Sequence, residues 1–76
     1  MAVDWKKHIV SDPEILRGKP RLKGTRIPVD LILGKLAGGM NYEEVMQEYD
    51  ITREHILAAL RYAAKTISDE EIRAVG

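Results

Sequence analysis

Five basic side chains lie close together near the N-terminus, and they are the group in this chain best suited to binding a ligand. They are Arg17, Lys19, Arg21, Lys23 and Arg26. Guanidinium and ammonium groups bind phosphate or carboxylate oxygens through charge-assisted hydrogen bonds. Two Gly and three Pro within residues 12–28 can fix the backbone there without regular secondary structure. We therefore expect this basic segment, residues 17–26, to meet an anion or an acidic partner.

Residues that could catalyse a reaction do not form a recognisable set. His8 and His55 are far apart in the sequence, and neither has a Cys or another His at ligand spacing. Ser11 and Ser68 are typical turn or cap residues. The stretch 18–25 differs from a phosphate-binding loop, because its Lys precedes the spacer instead of following it. We expect no enzyme activity, no cofactor and no metal site.

Charge is distributed unevenly along a chain whose formal net charge is zero. Residues 1–28 contain seven Lys or Arg and three acids, which gives +4, whereas residues 29–76 contain five and nine, which gives −4. The basic N-terminal region and the acidic C-terminal region can bind different partners, or can bind each other head-to-tail between two copies of the chain. The alternative is ordinary solvated charge.

The length of 76 residues indicates one domain over 1–76. A chain of this size buries only roughly 60% of its unfolded surface, and the sequence contains no Cys that could form a disulfide. Association is the remaining common source of support, so we expect a homodimer. No apolar run approaches the ~20 residues of a membrane span, and residues 1–10 lack a signal-peptide core. We expect a soluble, cytoplasmic protein without membrane contact.

The spacing of apolar residues predicts a mainly α fold of three to four helices behind an extended N-terminal segment. Residues 1–27 are expected to be extended, with short strands at 8–10 and about 21–27 that could pair as a hairpin. Residues 28–76 are expected to be helical. The predicted helices cover about 28–37, 42–49 and 53–66, and a short fourth helix over 69–75 would begin at a capping box formed by Ser68 and Glu71.

The same spacing predicts the core. Along the third helix, Ile56, Leu60, Ala63 and Ile67 form one stripe, and the residues expected to be buried are Ile32, Leu36, Val45, Ile56, Leu60 and Ala63. Trp5 and Tyr62 could stack on nucleic-acid bases. We favour the interpretation that Trp5 packs the N-terminal segment onto the helices and that Tyr62 borders the core.

The predicted helices 42–49 and 53–66 have the dimensions of a helix-turn-helix, in which the start of the second helix faces DNA bases. Here the candidate residues are Arg53, His55 and Arg61. A simple αα-corner of a small bundle explains the same spacing. The acidic residues around the pair would repel phosphates, so the basic segment would have to supply much of the attraction.

The sequence resembles a small prokaryotic family, domain of unknown function number 433. The resemblance lies in Asp12-Pro13, in Gly18-Lys19-Pro20 and in Gly24-Thr25-Arg26-Ile27-Pro28-Val29. It continues through 36–45 and 57–64, and covers about residues 8–66. Arg17 stands where a second Gly is common in the family, and Asn41-Tyr42 replaces a common Ser-Pro.

The resemblance implies a helix-turn-helix-like domain, and some members of the family look like antitoxins that pair with a PIN-like nuclease toxin. A protein of that kind would bind operator DNA, repress its own promoter and inhibit its toxin. The family carries no catalytic residues over to this chain. The alternative is a protein-interaction module without DNA binding, in which the basic segment meets an acidic partner.

Overall fold

The computed structural model of this chain describes residues 4–74, and the side chains of residues 4–69. Two very short strands, β1 (Ile9–Val10) and β2 (Arg21–Leu22), precede three helices, α1 (Val29–Ala37), α2 (Tyr42–Tyr49) and α3 (Arg53–Ala74). A single helical turn at Trp5–Lys7 precedes β1, and a tight turn with positive φ values at Leu16–Gly18 lies in the loop after it. The mainly α fold with a short N-terminal hairpin is therefore confirmed. None of the described helices is long and apolar enough to cross a membrane.

The two strands pair antiparallel, with Ile9 opposite Leu22 and Val10 opposite Arg21. Arg21 also forms an isolated antiparallel bridge with Pro28, directly before α1. Arg21 is therefore paired with Val10 on one side and with Pro28 on the other. The second pairing fixes the basic segment to the start of α1.

The helix ends follow local sequence signals. At the start of α2, Asn41 Oδ1 accepts from the Glu44 N–H at 2.8 Å and Glu44 Oε1 accepts from the Asn41 N–H at 2.9 Å, which completes the predicted capping box. At the end of α1, Gly39 has a φ of +107° that suits glycine alone. Asp50 then adopts a left-handed conformation between α2 and α3.

The third helix is longer than predicted, because it runs without a break through Ser68 to Ala74. The predicted separate helix from residue 69 is wrong, and its last residue, 75, lies outside the described residues. Ser68 caps a helix only where the chain before it is non-helical, and no Gly or Pro interrupts residues 53–74. An ion pair between Lys65 and Asp69, 3.0 Å long, also bridges the expected break at helical i,i+4 spacing.

The core forms where α1, α2 and α3 meet the two strands. Its members are buried and apolar: Ile9, Leu22, Val29, Ile32, Val45, Ile51, Ile56, Ala58 and Ala59. Ile32, Val45 and Ile56 are buried as predicted, whereas Leu36, Leu60 and Ala63 are only half-buried.

The predicted stripe on α3 is confirmed only in its first half: Ile56 is fully buried and Leu60 packs against the core, whereas Ile67 is 66% exposed. Ala58 and Ala59, which lie off the stripe, are also fully buried. Small side chains let α3 approach its neighbours closely, and a pattern that weighs large apolar residues most does not detect this.

Trp5 packs the N-terminal segment onto the helices, as predicted. Its ring meets the Tyr62 ring edge-on, with the centroids 5.1 Å apart. Both side chains are half-buried against the core. Such edge-to-face pairs are a favoured aromatic geometry, so this contact holds the first described residues against the middle of α3.

Candidate functional site

The basic segment divides into side chains that stabilise the fold and side chains that are exposed. Arg21 is half-buried: its Nη1 donates to the Thr25 carbonyl oxygen at 2.9 Å, and its Nε is buried without a hydrogen-bond partner among the described residues. Lys19 forms a 3.1 Å ion pair with Asp30 of α1. The exposed side chains, none of which pairs with an acid in the part of the chain that the structure describes, are Arg17, Lys23 and Arg26.

A left-handed turn presents the first of these cations. Leu16, Arg17 and Gly18 have φ values of +54°, +58° and +81°. The Gly18 N–H donates to the Ile15 carbonyl and the Lys19 N–H donates to the Leu16 carbonyl, both at 3.1 Å, so the turn is closed by its own backbone. Arg17 therefore projects from a fixed and strained position, since only glycine adopts such φ values without cost.

A second turn presents Lys23 and Arg26. Gly24, at φ +81°, reverses the chain between them. Thr25 Oγ1 donates to the Leu22 carbonyl at 2.8 Å and accepts from the Ile27 N–H at 3.0 Å. Two closed turns thus hold three exposed cations, an arrangement in which little backbone entropy would be lost on binding a ligand.

The start of α3 holds the other candidate contacts, and two of them have structural partners. The Arg53 guanidinium lies 4.8 Å from the centre of the Tyr42 ring, a cation–π contact between α3 and α2. Arg61, two turns further along, is exposed. Helical i,i+7 spacing places Arg61 on the same face as Glu54.

His55 forms part of the N-terminal cap of α3. Its ring Nδ1 accepts from the Thr52 backbone N–H at 3.0 Å, and the His55 backbone N–H donates to Thr52 Oγ1 at 3.3 Å. Because Nδ1 is an acceptor, the neutral ring carries its proton on Nε2. Burial lowers the pKa of His55, the neighbouring His8 lowers the pKa further, and Glu54 acts in the opposite direction.

The structure brings the two histidines together, a proximity that sequence reasoning missed. The ring centroids of His8 and His55 are 5.8 Å apart, in an edge-on arrangement. The contact arises because β1 packs against α3, a tertiary relation that spacing along the chain cannot reveal. Within the described residues no cluster of three or more His, Cys, Asp or Glu could hold a metal ion.

An open apolar groove between α1 and the second half of α3 is a further feature that the sequence did not predict. Its volume is about 310 Å³. Lys19 and Asp30 form part of its rim, and its apolar walls come from Pro20, Val29, Leu33, Tyr62, Ala63 and Ile67. One sequence signal could have revealed the groove. It is the predicted stripe on α3, because Ala63 and Ile67 of that stripe line the groove.

The sequence profile of a family described as "Protein of unknown function (DUF433)" matches residues 9–63. This chain belongs to the DUF433 family. The matched region runs from β1 into α3 and includes the basic segment and both of its turns. Comparison with curated proteins and with solved structures finds no significant match. The family description names no activity.

Proposed function

We propose that this DUF433 protein is a DNA-binding, antitoxin-like protein that pairs with a PIN-like nuclease toxin and represses its own promoter. The observation that carries the proposal is the pair α2 and α3, joined by the three-residue turn 50–52, together with the exposed cations of the basic segment. A short helix, a tight turn and a longer helix match the spacing of DNA-binding helix pairs.

In this proposal the phosphate contacts are Arg17, Lys23 and Arg26, because their side chains are exposed and two closed turns hold their backbone. On α3 the candidate donors to base edges or phosphates are Arg61, which is exposed, and His55, which is half-buried. Arg21 and Lys19 contribute less, since the first is tied to Thr25 and the second pairs with Asp30.

The number of phosphate contacts sets the salt dependence of binding. Three contacts give a slope of log affinity against log salt of about −2.7, since each contact contributes about 0.9. Arg21 would stabilise the loop instead of adding to this slope.

The deciding experiment is a mobility shift on the protein's own promoter over a series of salt concentrations. Changing Arg17, Lys23 and Arg26 to Ala is expected to flatten the salt slope by about 2.7 per chain while the fold is retained. The matched control changes Lys6, Lys35 and Lys65 to Ala, which alters the net charge equally outside the basic segment. Equal slopes for wild type, variant and control would refute a role for this segment in DNA binding.

The second candidate is a protein-interaction module without DNA binding, and a specific observation favours it. The surface around α2 and the start of α3 is acidic, with five exposed carboxylates at Glu43, Glu44, Glu48, Asp50 and Glu54. These groups would repel phosphates near the base-reading end of α3. A promoter that does not shift at low salt, together with a stable complex with a co-encoded nuclease, would support this candidate.

A further inference from the structure

The first described residues form an arm that few side chains hold against α3. This N-terminal arm, residues 4–10, includes β1 and the helical turn before it, and both of these contact α3. Ile9 is its one buried side chain, whereas Trp5 and His8 are half-buried and each forms a ring contact with α3. Segments with so few buried contacts open at a lower free-energy cost than the whole fold does.

Protonation of the two histidines works against the closed arm. His55 Nδ1 accepts from the Thr52 N–H at 3.0 Å, which requires the neutral ring. A protonated ring carries hydrogens on both nitrogens. It can then donate to Thr52 Oγ1, 3.2 Å from Nδ1, but the Thr52 N–H loses its acceptor. Because the centroids of His8 and His55 are 5.8 Å apart, protonation of both rings also places two like charges side by side.

The charged groups around the pair do not neutralise it. Those on the elements that meet β1 and the start of α3 are Asp4, Lys6, Lys7, Arg21, Lys23, Asp50 and Glu54, so cations outnumber acids. Glu54 raises the pKa of His55, but burial and His8 outweigh this effect. Neither histidine forms an ion pair with a carboxylate within the part of the chain that the structure describes.

We propose that the His8–His55 pair is a pH-sensitive latch, which closes the N-terminal arm on α3 near neutral pH and releases it under mildly acidic conditions. The lowered pKa of His55 in the closed protein has the matching sign, because a group that is harder to protonate in the closed form drives opening when protons are added. This inference goes beyond the proposed function and does not depend on DNA binding.

The latch is connected to the basic segment through the hairpin. The His8 carbonyl oxygen accepts from the Lys23 N–H at 2.7 Å, and β1 pairs with β2 next to it. Release of the arm therefore removes a backbone hydrogen bond from the turn that carries Lys23 and Arg26. The pH then sets how firmly this exposed basic turn is held.

The fluorescence of Trp5 tests the latch in the full-length protein, because Trp5 is the only tryptophan in the chain and lies in the arm. Between about pH 7.5 and 5.5, which spans the ordinary pKa of histidine, the Trp5 emission maximum should move to longer wavelength. Quenching by acrylamide should increase over the same range as the ring becomes exposed to water. Far-UV circular dichroism should show that the helix content is retained.

The matched control replaces both His8 and His55 by Gln. The chain contains two histidines, so this double variant has no imidazole left to titrate. Its Trp5 emission should not depend on pH over this range, and each single variant should respond less than wild type. A double variant that responds as wild type does would overturn the latch. A wild-type emission that stays constant, or that changes only when the helices are lost, would overturn it as well.

Amide hydrogen exchange of the wild type provides a measurement that needs no variant. Protection of the Lys23 N–H, relative to that of the Val45 N–H in the core helix α2, should fall by about ten-fold on acidification, after correction for intrinsic exchange rates. The Val45 N–H bonds to the Asn41 carbonyl, away from the arm, and serves as the internal reference. Equal relative protection at both pH values would contradict the proposed opening.

Discussion

Replacing Arg17 by glycine should stabilise this protein, even though the change removes an entire side chain. Arg17 is exposed and has a φ of +58°, in the left-handed region that L-residues avoid. A side chain there costs roughly 1–2 kcal/mol, because Cβ lies too close to the following carbonyl oxygen. Glycine has no Cβ and removes this cost.

The size of the gain follows from two opposing effects. Glycine also has more freedom in the unfolded chain, which offsets roughly 0.5–1 kcal/mol of the relief. The expected net stabilisation is therefore about 0.5–1 kcal/mol. For a domain of this length, 1 kcal/mol shifts the melting temperature by roughly 4–8 °C, so Arg17→Gly should raise it by about 2–8 °C.

The control is Arg17→Ala, which removes the same charge but keeps a Cβ at the strained position. Thermal melts followed by circular dichroism should place Arg17→Ala close to wild type and Arg17→Gly above both. The difference between the two variants isolates the backbone, because the lost guanidinium is common to them. Equal melting temperatures for the Gly and Ala variants would show that the turn carries no strain at residue 17, and a lower value for Gly would refute the reasoning outright.

Two further predictions concern the cap and the core. Burial, and to a smaller extent the neighbouring His8, lower the pKa of His55 in the folded protein. As the pH falls, the unfolded chain therefore takes up a proton at this residue before the folded chain does. Stability should be lost as the pH falls below about 6.5 towards the folded pKa. His55→Gln, which keeps an acceptor but does not titrate, should lose less stability than wild type between about pH 7.5 and 5.5 in urea melts, and an equal loss would contradict the assignment. Ile56→Ala should cost roughly 2–5 kcal/mol, because Ile56 is fully buried. Leu60→Ala should cost less, since Leu60 is only half-buried, and the reverse order in the same melts would mean that α3 faces the core differently.

Local signals in the sequence predicted most of the fold. The Asn41–Glu44 capping box, the stop at Gly38–Gly39 and the helical spacing gave α1, α2 and the start of α3 close to their observed bounds. Each of these signals acts between residues at most four positions apart, and such interactions do not need the rest of the molecule. The hairpin was also predicted, although its strands are only two residues long.

Features that depend on tertiary packing could not be predicted in the same way. The inward face of α3 is set by how closely Ala58 and Ala59 approach other elements, and alanine gives a weak periodic signal. The meeting of His8 with His55 depends on how β1 lies against α3.

The candidate site was only partly predictable for the same reason. Composition identified the basic segment, but all five of its cations look equivalent in the sequence. Only the structure separates Arg21, which the fold uses, from the exposed Arg17, Lys23 and Arg26. The DNA-binding role of these residues stays a prediction.

The small sheet at the N-terminus has a consequence for how this protein behaves at high concentration. Unpaired strand edges are templates on which other chains can add strands and aggregate. Here β2 pairs with β1 on one side and with the residues around Pro28 on the other. Pro28 has no N–H to offer on the outer side, and the chain becomes helical at the next residue. This side of β2 therefore offers no run of donors for strand addition. The remaining edge runs along β1, which is only two residues long, and so short an edge strand is a poor template for added chains.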